Sequence, residues 1–242
     1  MMANVFPAQE QLAARLTAVR ERIVAAALDC GRAPDEVKLI AISKTHPASV
    51  IRTLTELDTT DFGENRVQEA EGKIAEIGRE RVRWHLVGHL QANKARRAVN
   101  LFDVIHSLDS LDLAQRLDRL CAEDGREKLA VLIQVDLGHE ETKSGIDESE
   151  LTHMVEGLGP LTRLQLIGLM TLPPFFDDAE QSRPFFRRLR EVRDELESRG
   201  AFGDRKGELS MGMTHDFEVA IQEGATMVRI GTAIFGERLP RE

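Results

Sequence analysis

Val37-Lys38-Leu39-Ile40-Ala41-Ile42-Ser43-Lys44-Thr45 is a short apolar run that ends on a lysine. Its core, Val37–Ile42, is the first of eight such runs. The others are Asp61–Gly63, Trp84–Val87, Val104–Leu108, Ala130–Val135, Leu164–Met170, Glu208–Met211 and Met227–Ile230, the second and seventh being the weakest. Amphipathic stretches separate them: Ala48–Leu57, Val67–Ile77, Gln91–Val99, Leu111–Cys121, Glu148–Leu158, Arg183–Ser198 and His215–Glu223. Strands alternating with helices predict parallel pairing through right-handed crossovers. Eight units are the count of an α/β (β/α)8 TIM-type barrel. Near-continuous apolar strands agree, because parallel strands are covered on both faces.

Ahead of the first run, Leu12, Leu16, Val19, Ile23 and Ala27 recur at helical spacing and Gly31 follows. This predicts an extra N-terminal helix over 9–29. An open doubly wound sheet is the alternative, weakened by the lack of a GxGxxG turn after an early strand. No linker or low-complexity stretch divides the chain. The expected organisation is one domain over 1–242, with the barrel spanning 37–236.

Charge narrows the classes of function. The formal net charge is −9, which argues against broad attraction to nucleic acid or anionic membrane. Arg187, Arg188, Arg190 and Arg193 are interleaved with Glu191, Asp194 and Glu195 and read as a solvated helix face. Cys30 and Cys121 form no CxxC motif, and no disulfide framework is indicated. The N-terminus lacks a signal-like apolar core and no stretch reaches membrane-span length, so a cytoplasmic protein is expected.

A barrel collects its functional loops at the C-terminal ends of its strands. Lys44 leaves the first strand there. A lysine in that position is ordinarily solvated; pointed into the barrel mouth, burial would favour its neutral, nucleophilic form. Arg229 interrupts Met227-Val228-Arg229-Ile230, and alternation puts Met227, Arg229 and Gly231 on one face. A buried guanidinium needs an acceptor, either a barrel carboxylate or a ligand atom. Ser210-Met211-Gly212 and Gly231-Thr232-Ala233 offer hydroxyls and backbone amides after strands seven and eight, where this fold commonly holds phosphate. An amine for an aldehyde and a turn for a phosphate suggest pyridoxal 5′-phosphate. Histidine gives little: His85 and His89 are four apart but His85 lies in a strand, His215 and Asp216 read as surface or capping residues, and no spacing resembles a zinc site.

Seven ordered segments match one family: Ala41-Ile42-Ser43-Lys44-Thr45, Phe62-Gly63-Glu64-Asn65, Trp84 to Lys94, Lys143-Ser144-Gly145, Gly168-Leu169-Met170-Thr171, Leu209 to Met213 and Val228 to Gly236. Along nearly its whole length the chain resembles the pyridoxal phosphate homeostasis (YggS/PROSC) family. The resemblance implies a barrel of the alanine racemase N-terminal type with Lys44 bonded to C4′ of the cofactor. It implies that Ser210, Gly231 and Thr232 hold the phosphate and that Arg229 faces the pyridine nitrogen. Asn65, His85, Met170 and Met211 would line the ring pocket, and Lys143 would take part in cofactor transfer. Two departures stand out. Arg66 replaces an aromatic residue often found after Gly-Glu-Asn, and Thr214 replaces a serine while keeping its hydroxyl.

Racemases of this fold use two opposed bases, a lysine and a tyrosine from a partner subunit's second domain. These 242 residues contain no tyrosine and end soon after the barrel closes. An arginine at the ring nitrogen only donates hydrogen bonds, which leaves the ring a weak electron sink. The expected function is therefore a non-catalytic, monomeric carrier that holds the cofactor reversibly and hands it to apo-enzymes. A weak amino-acid racemase is the runner-up, and a cofactor-free phosphosugar isomerase the third class.

Overall fold

Each apolar run forms a strand and each amphipathic stretch a helix in the computed structural model, which describes residues 9–138 and 144–236. The order is α1 (Gln9–Asp29), β1 (Lys38–Ile42), α2 (Ala48–Glu56), β2 (Asp61–Glu64), α3 (Val67–Ile77), β3 (Arg83–Leu86), α4 (Ala95–Leu101), β4 (Val104–Leu108), α5 (Leu111–Glu123) and β5 (Leu129–Val135). Then come α6 (Leu151–Leu158), β6 (Leu164–Thr171), α7 (Arg183–Ser198), β7 (Glu208–Ser210), α8 (Phe217–Gln222), β8 (Met227–Ile230) and α9 (Thr232–Phe235). The strands close as β1 through β8 in sequence order, every neighbouring pair parallel. This is the expected barrel with its additional N-terminal helix.

Strand alternation sorts the side chains into two cores. Ala41, Phe62, Trp84, Ile105, Val131, Leu209, Val228 and Ile230 face outward into the layer between sheet and helices. Ile40, Ile42, Val87 and Met227 pack inside the barrel, as do Val104, Leu132 and Met170 on the other wall. A register shift between β5 and β6, where Val131 pairs with Leu166 but Leu132 with Gly168, returns Met170 to the interior.

Helix α1 buries Leu12, Leu16, Val19 and Ile23, each contributing about 1.5–3 kcal/mol of transfer free energy. It packs on α8 and α9, over the seam where β8 meets β1. The Arg22 guanidinium lies 4.6 Å from the Phe217 ring centroid and also pairs with Glu218. Among the described residues no helix is long and apolar enough to cross a membrane.

The arginine-rich face of α7 departs from expectation. Arg193 is buried and donates to the Gly207 carbonyl at 2.6 Å. Its spacing from Leu189 and Leu196 puts it on the packed face of the helix. Arg183, Arg187 and Arg190 converge on the buried carboxylate of Glu223, beyond the end of α8. The cluster is an ion-pair clamp between helices as much as a solvated surface.

Candidate functional site

The two ends of the chain that carry the sequence argument meet on one rim. Strands β1 and β8 are hydrogen-bonded neighbours in register from Lys38↔Met227 to Ala41↔Ile230. Parallel pairing puts their C-terminal ends side by side, so Lys44 and Gly231-Thr232 emerge together. Two residues past Lys44, the His46 ring stacks on Phe235 of α9 with centroids 4.8 Å apart, joining the two loops directly.

The backbone around Lys44 is fixed by ions on the outer side of the barrel. Lys73 of α3 donates to the Ser43 carbonyl, to Glu64 Oε1 and to Glu69 Oε1, each at 2.7 Å. The Ser43 hydroxyl also donates to Glu64 Oε1, at 2.6 Å. Glu69 accepts the Thr45 N–H. Thr45 has φ of 68°, a left-handed conformation uncommon for a residue with a branched side chain. Both neighbours of the half-buried Lys44 are thus anchored. Burial holds the Glu64 carboxyl above its ordinary range despite the pull of Lys73 and the Ser43 hydroxyl. Its Oε2 has no partner among the described residues.

Arg229 is held differently, by a series of hydrogen bonds inside the barrel that runs through two imidazoles. It is 4% exposed, and burial pulls its guanidinium down to about 10, which leaves it charged at neutral pH. It donates through Nη2 to the Thr171 carbonyl at 2.9 Å and through Nη1 to Ser210 Oγ at 2.7 Å. Ser210 lies 2.8 Å from His106 Nδ1, His106 Nε2 lies 2.8 Å from His85 Nδ1, and His85 Nε2 lies 2.9 Å from Asp61 Oδ1. The two ends set the direction. A carboxylate only accepts and a neutral imidazole has one donor and one acceptor, so His85 donates to Asp61, His106 donates to His85, and the Ser210 hydroxyl donates to His106. Burial holds His106 well below its ordinary range and His85 below it, so both rings are neutral, as this direction requires. The Asp61 carboxyl is kept low by His85 and by the Thr60 hydroxyl, against the opposing effect of burial.

This geometry redistributes the expected roles. Lys44, Arg229, Gly231 and Thr232 share the C-terminal end of the β8–β1 seam. Ser210, the expected phosphate ligand, faces inward, donating to His106 and accepting from Arg229. His85 lies within the interior series and Met170 packs on Val104 and Leu132. Met211 does not join them: next to inward-facing Ser210, its side chain turns into the outer core. Asn65 follows β2 with its backbone pressed against Gly88, and Arg66 is exposed at the start of α3. His215 is exposed and bonds the Asp177 carbonyl at 3.0 Å, whereas Asp216 is buried and accepts the Met213 N–H at 2.7 Å. Lys143 lies outside the described residues.

A cofactor bearing an aldehyde, a ring nitrogen and a phosphate suits this rim. The Cβ that Gly231 lacks would meet only Ile42, at 3.5 Å or more, and its φ of −114° is outside the left-handed region. Neither space nor φ within the chain therefore demands glycine there, while close backbone approach by a ligand would. Gly212 is different: its φ is +89° and a Cβ would lie 2.6 Å from that of Ala220. His46 Nδ1 is buried without a partner among the described residues. The Thr214 hydroxyl, 3.4 Å from the Ala233 N–H, ties the loops after β7 and β8 together.

Known proteins share both sequence and fold with this chain. The family described as alanine racemase, N-terminal domain, matches residues 15–239. A pyridoxal phosphate homeostasis protein of Aquifex aeolicus is 43% identical over 224 residues, covering 93% of this chain and 97% of that one. Its namesake in Escherichia coli K12 is 43% identical over 233 residues, covering 94% and 97%. The structure of PipY from Synechococcus elongatus with PLP bound aligns with a TM-score of 0.81 at 40% identity, over 93% of this chain and all of that one. An alanine racemase of Clostridium difficile shares the fold alone, with a TM-score of 0.73 at 16% identity over 57% of its length. This chain belongs to the alanine racemase N-terminal domain family and, within it, to the pyridoxal phosphate homeostasis proteins.

Proposed function

We propose that this protein binds pyridoxal 5′-phosphate reversibly at the C-terminal mouth of its barrel and serves the homeostasis of that cofactor. The observation that carries the reading is the β8–β1 seam, where an amine and a glycine-bearing turn emerge on one rim. The PLP-bound PipY structure and the homeostasis proteins at 43% identity support it. When bound, the cofactor supplies an electrophilic aldehyde and an electron-withdrawing ring.

Lys44 would hold the aldehyde end, its backbone kept in place by Lys73 and Glu69. Gly231 and Thr232 would hold the phosphate. Arg229 would face the ring nitrogen, fixed there by Ser210 and Thr171. A charged guanidinium has no lone pair to offer, so it keeps no proton on a nitrogen it faces. That arrangement favours holding the cofactor over drawing electrons into its ring, and supports a carrier rather than an enzyme. We further propose that the protein acts as a cytoplasmic monomer that passes its cargo to apo-enzymes, with Lys143 assisting release.

Borohydride treatment of the loaded protein tests the reading. It is expected to fix one cofactor mass to the peptide containing Lys44, with no such adduct in Lys44→Ala. An undiminished adduct in that variant would overturn the assignment. Sustained deuterium exchange at Cα of alanine or serine, lost with Lys44→Ala, would replace the carrier with a racemase-type enzyme. Unchanged transfer to an apo-enzyme after Lys143→Ala would remove Lys143 from the release step.

A further inference from the structure

At the opposite, N-terminal mouth of the barrel lies a second cavity, of about 460 Å3, lined by Lys38, Arg83, Arg205, Lys206, Gln165 and Glu208. Four cationic side chains there face one carboxylate, in a chain whose net charge is −9. Lys38 and Arg83 begin β1 and β3, in the same inward register as Ile40 and His85. Among the described residues, neither of these two side chains makes a hydrogen bond or an ion pair. Asp61, which feels the Lys38 charge, already has Oδ1 on His85 and Oδ2 on Thr60. Arg205 reaches the Gln165 amide oxygen at 2.8 Å once that amide is turned to face it. Met227 and Ile167 supply an apolar floor.

Arg83, Arg205 and Lys206 are exposed at this mouth, and like charges gathered on one rim raise the local concentration of anions. Arginine forks match the paired oxygens of a phosphate, and a lysine adds a point charge. The volume exceeds that of a bare phosphate ion and falls in the range of small-ligand sites. We propose that this mouth is a binding site for a small phosphomonoester, its phosphate between Lys38, Arg83 and Arg205 and its organic body on Met227 and Ile167. The site is separate from the Lys44 rim and stands whether or not that rim holds pyridoxal phosphate.

Amide NMR of the 15N-labelled protein titrated with glycerol 3-phosphate reads both mouths at once. Saturable shifts are expected at Lys38, Arg83, Gln165 and Glu208, with a dissociation constant below about 1 mM, the range typical of metabolite sites. The Arg83→Gln/Arg205→Gln double variant should weaken binding about tenfold or more, as loss of charge-assisted bonds predicts, while amides elsewhere keep their positions and so report an intact fold. Inorganic phosphate should bind the same amides more weakly, lacking the organic body. Shifts confined to Gly212, Gly231 and Thr232, or none that saturate, would overturn the proposal. Equal binding of succinate would overturn its assignment to phosphate.

Discussion

Two cations serve the same rim and the fold holds them in opposite ways. Lys44 is half-buried, and the constraint falls on its backbone neighbours through an ion cluster on the helix side of the barrel. Arg229 is buried, and the constraint falls on its side chain through neutral rings inside the barrel. The contrast suits the roles proposed for the two groups. An amine proposed to bond a carbonyl carbon has to lose a proton, and a pinned main chain would bring it to that position. A guanidinium that marks a position has to stay charged and still, so its own nitrogens are engaged.

The strongest way to break this contrast is to remove the ion that anchors the Lys44 turn. Lys73→Met would leave Glu64 buried and uncompensated, and is expected to cost about 3–5 kcal/mol in denaturant unfolding. Because burial already outweighs the partners of Glu64, adding Glu64→Gln to Lys73→Met should restore most of that loss. A double variant as unstable as the single one would show that the pair is worth more than its desolvation.

The interior series is best probed by pH. His85 and His106 titrate below their ordinary range in the folded protein. Below about pH 6.5 the unfolded chain takes up protons that the native rings refuse, so stability present above that pH is lost as pH falls. Two such groups give a slope approaching about 2.7 kcal/mol per pH unit, and His46, also lowered by burial, acts in the same sense. Unfolding free energies measured at several pH values for the native chain and for His85→Gln/His106→Asn should diverge in slope. Parallel curves would remove the histidines from the acid response.

Arg229→Leu is a smaller perturbation. It leaves the Thr171 carbonyl and the Ser210 oxygen without their donor, for about 1–3 kcal/mol, and should weaken cofactor retention in equilibrium dialysis. Retention equal to that of the native chain would detach Arg229 from the cofactor. The smallest effect expected is that of His46→Ala, about 0.5–1.5 kcal/mol from the lost stack on Phe235. If thermal unfolding did not shift at all, that contact would not be what joins the two loops.

The fold was legible because its signals are local. Parallel strands buried on both faces announce themselves as apolar runs, and alternation correctly put Arg229, which the barrel turns inward, on the face opposite Val228 and Ile230. Lys44 and Gly231 were legible for the same reason, since each follows such a run. His106 was not. It is one of two adjacent polar residues in Val104-Ile105-His106-Ser107-Leu108, and its partner Ser210 lies 104 positions away, across a barrel that must close before they meet. Strand parity carried a usable signal, since His85 and His106 both occupy inward positions on neighbouring strands. Parity also explains why Met211, one residue past Ser210, packs in the outer core rather than beside it. Lys73 stayed hidden because a lysine in an amphipathic helix looks solvated until β2 brings Glu64 beneath it.

Every donor in the buried sequence from Arg229 to Asp61 points the same way round the wall. Turning over one imidazole alone would set hydrogen against hydrogen on one side and lone pair against lone pair on the other. The five side chains therefore share a single sense of donation, set by a guanidinium at one end and a carboxylate at the other.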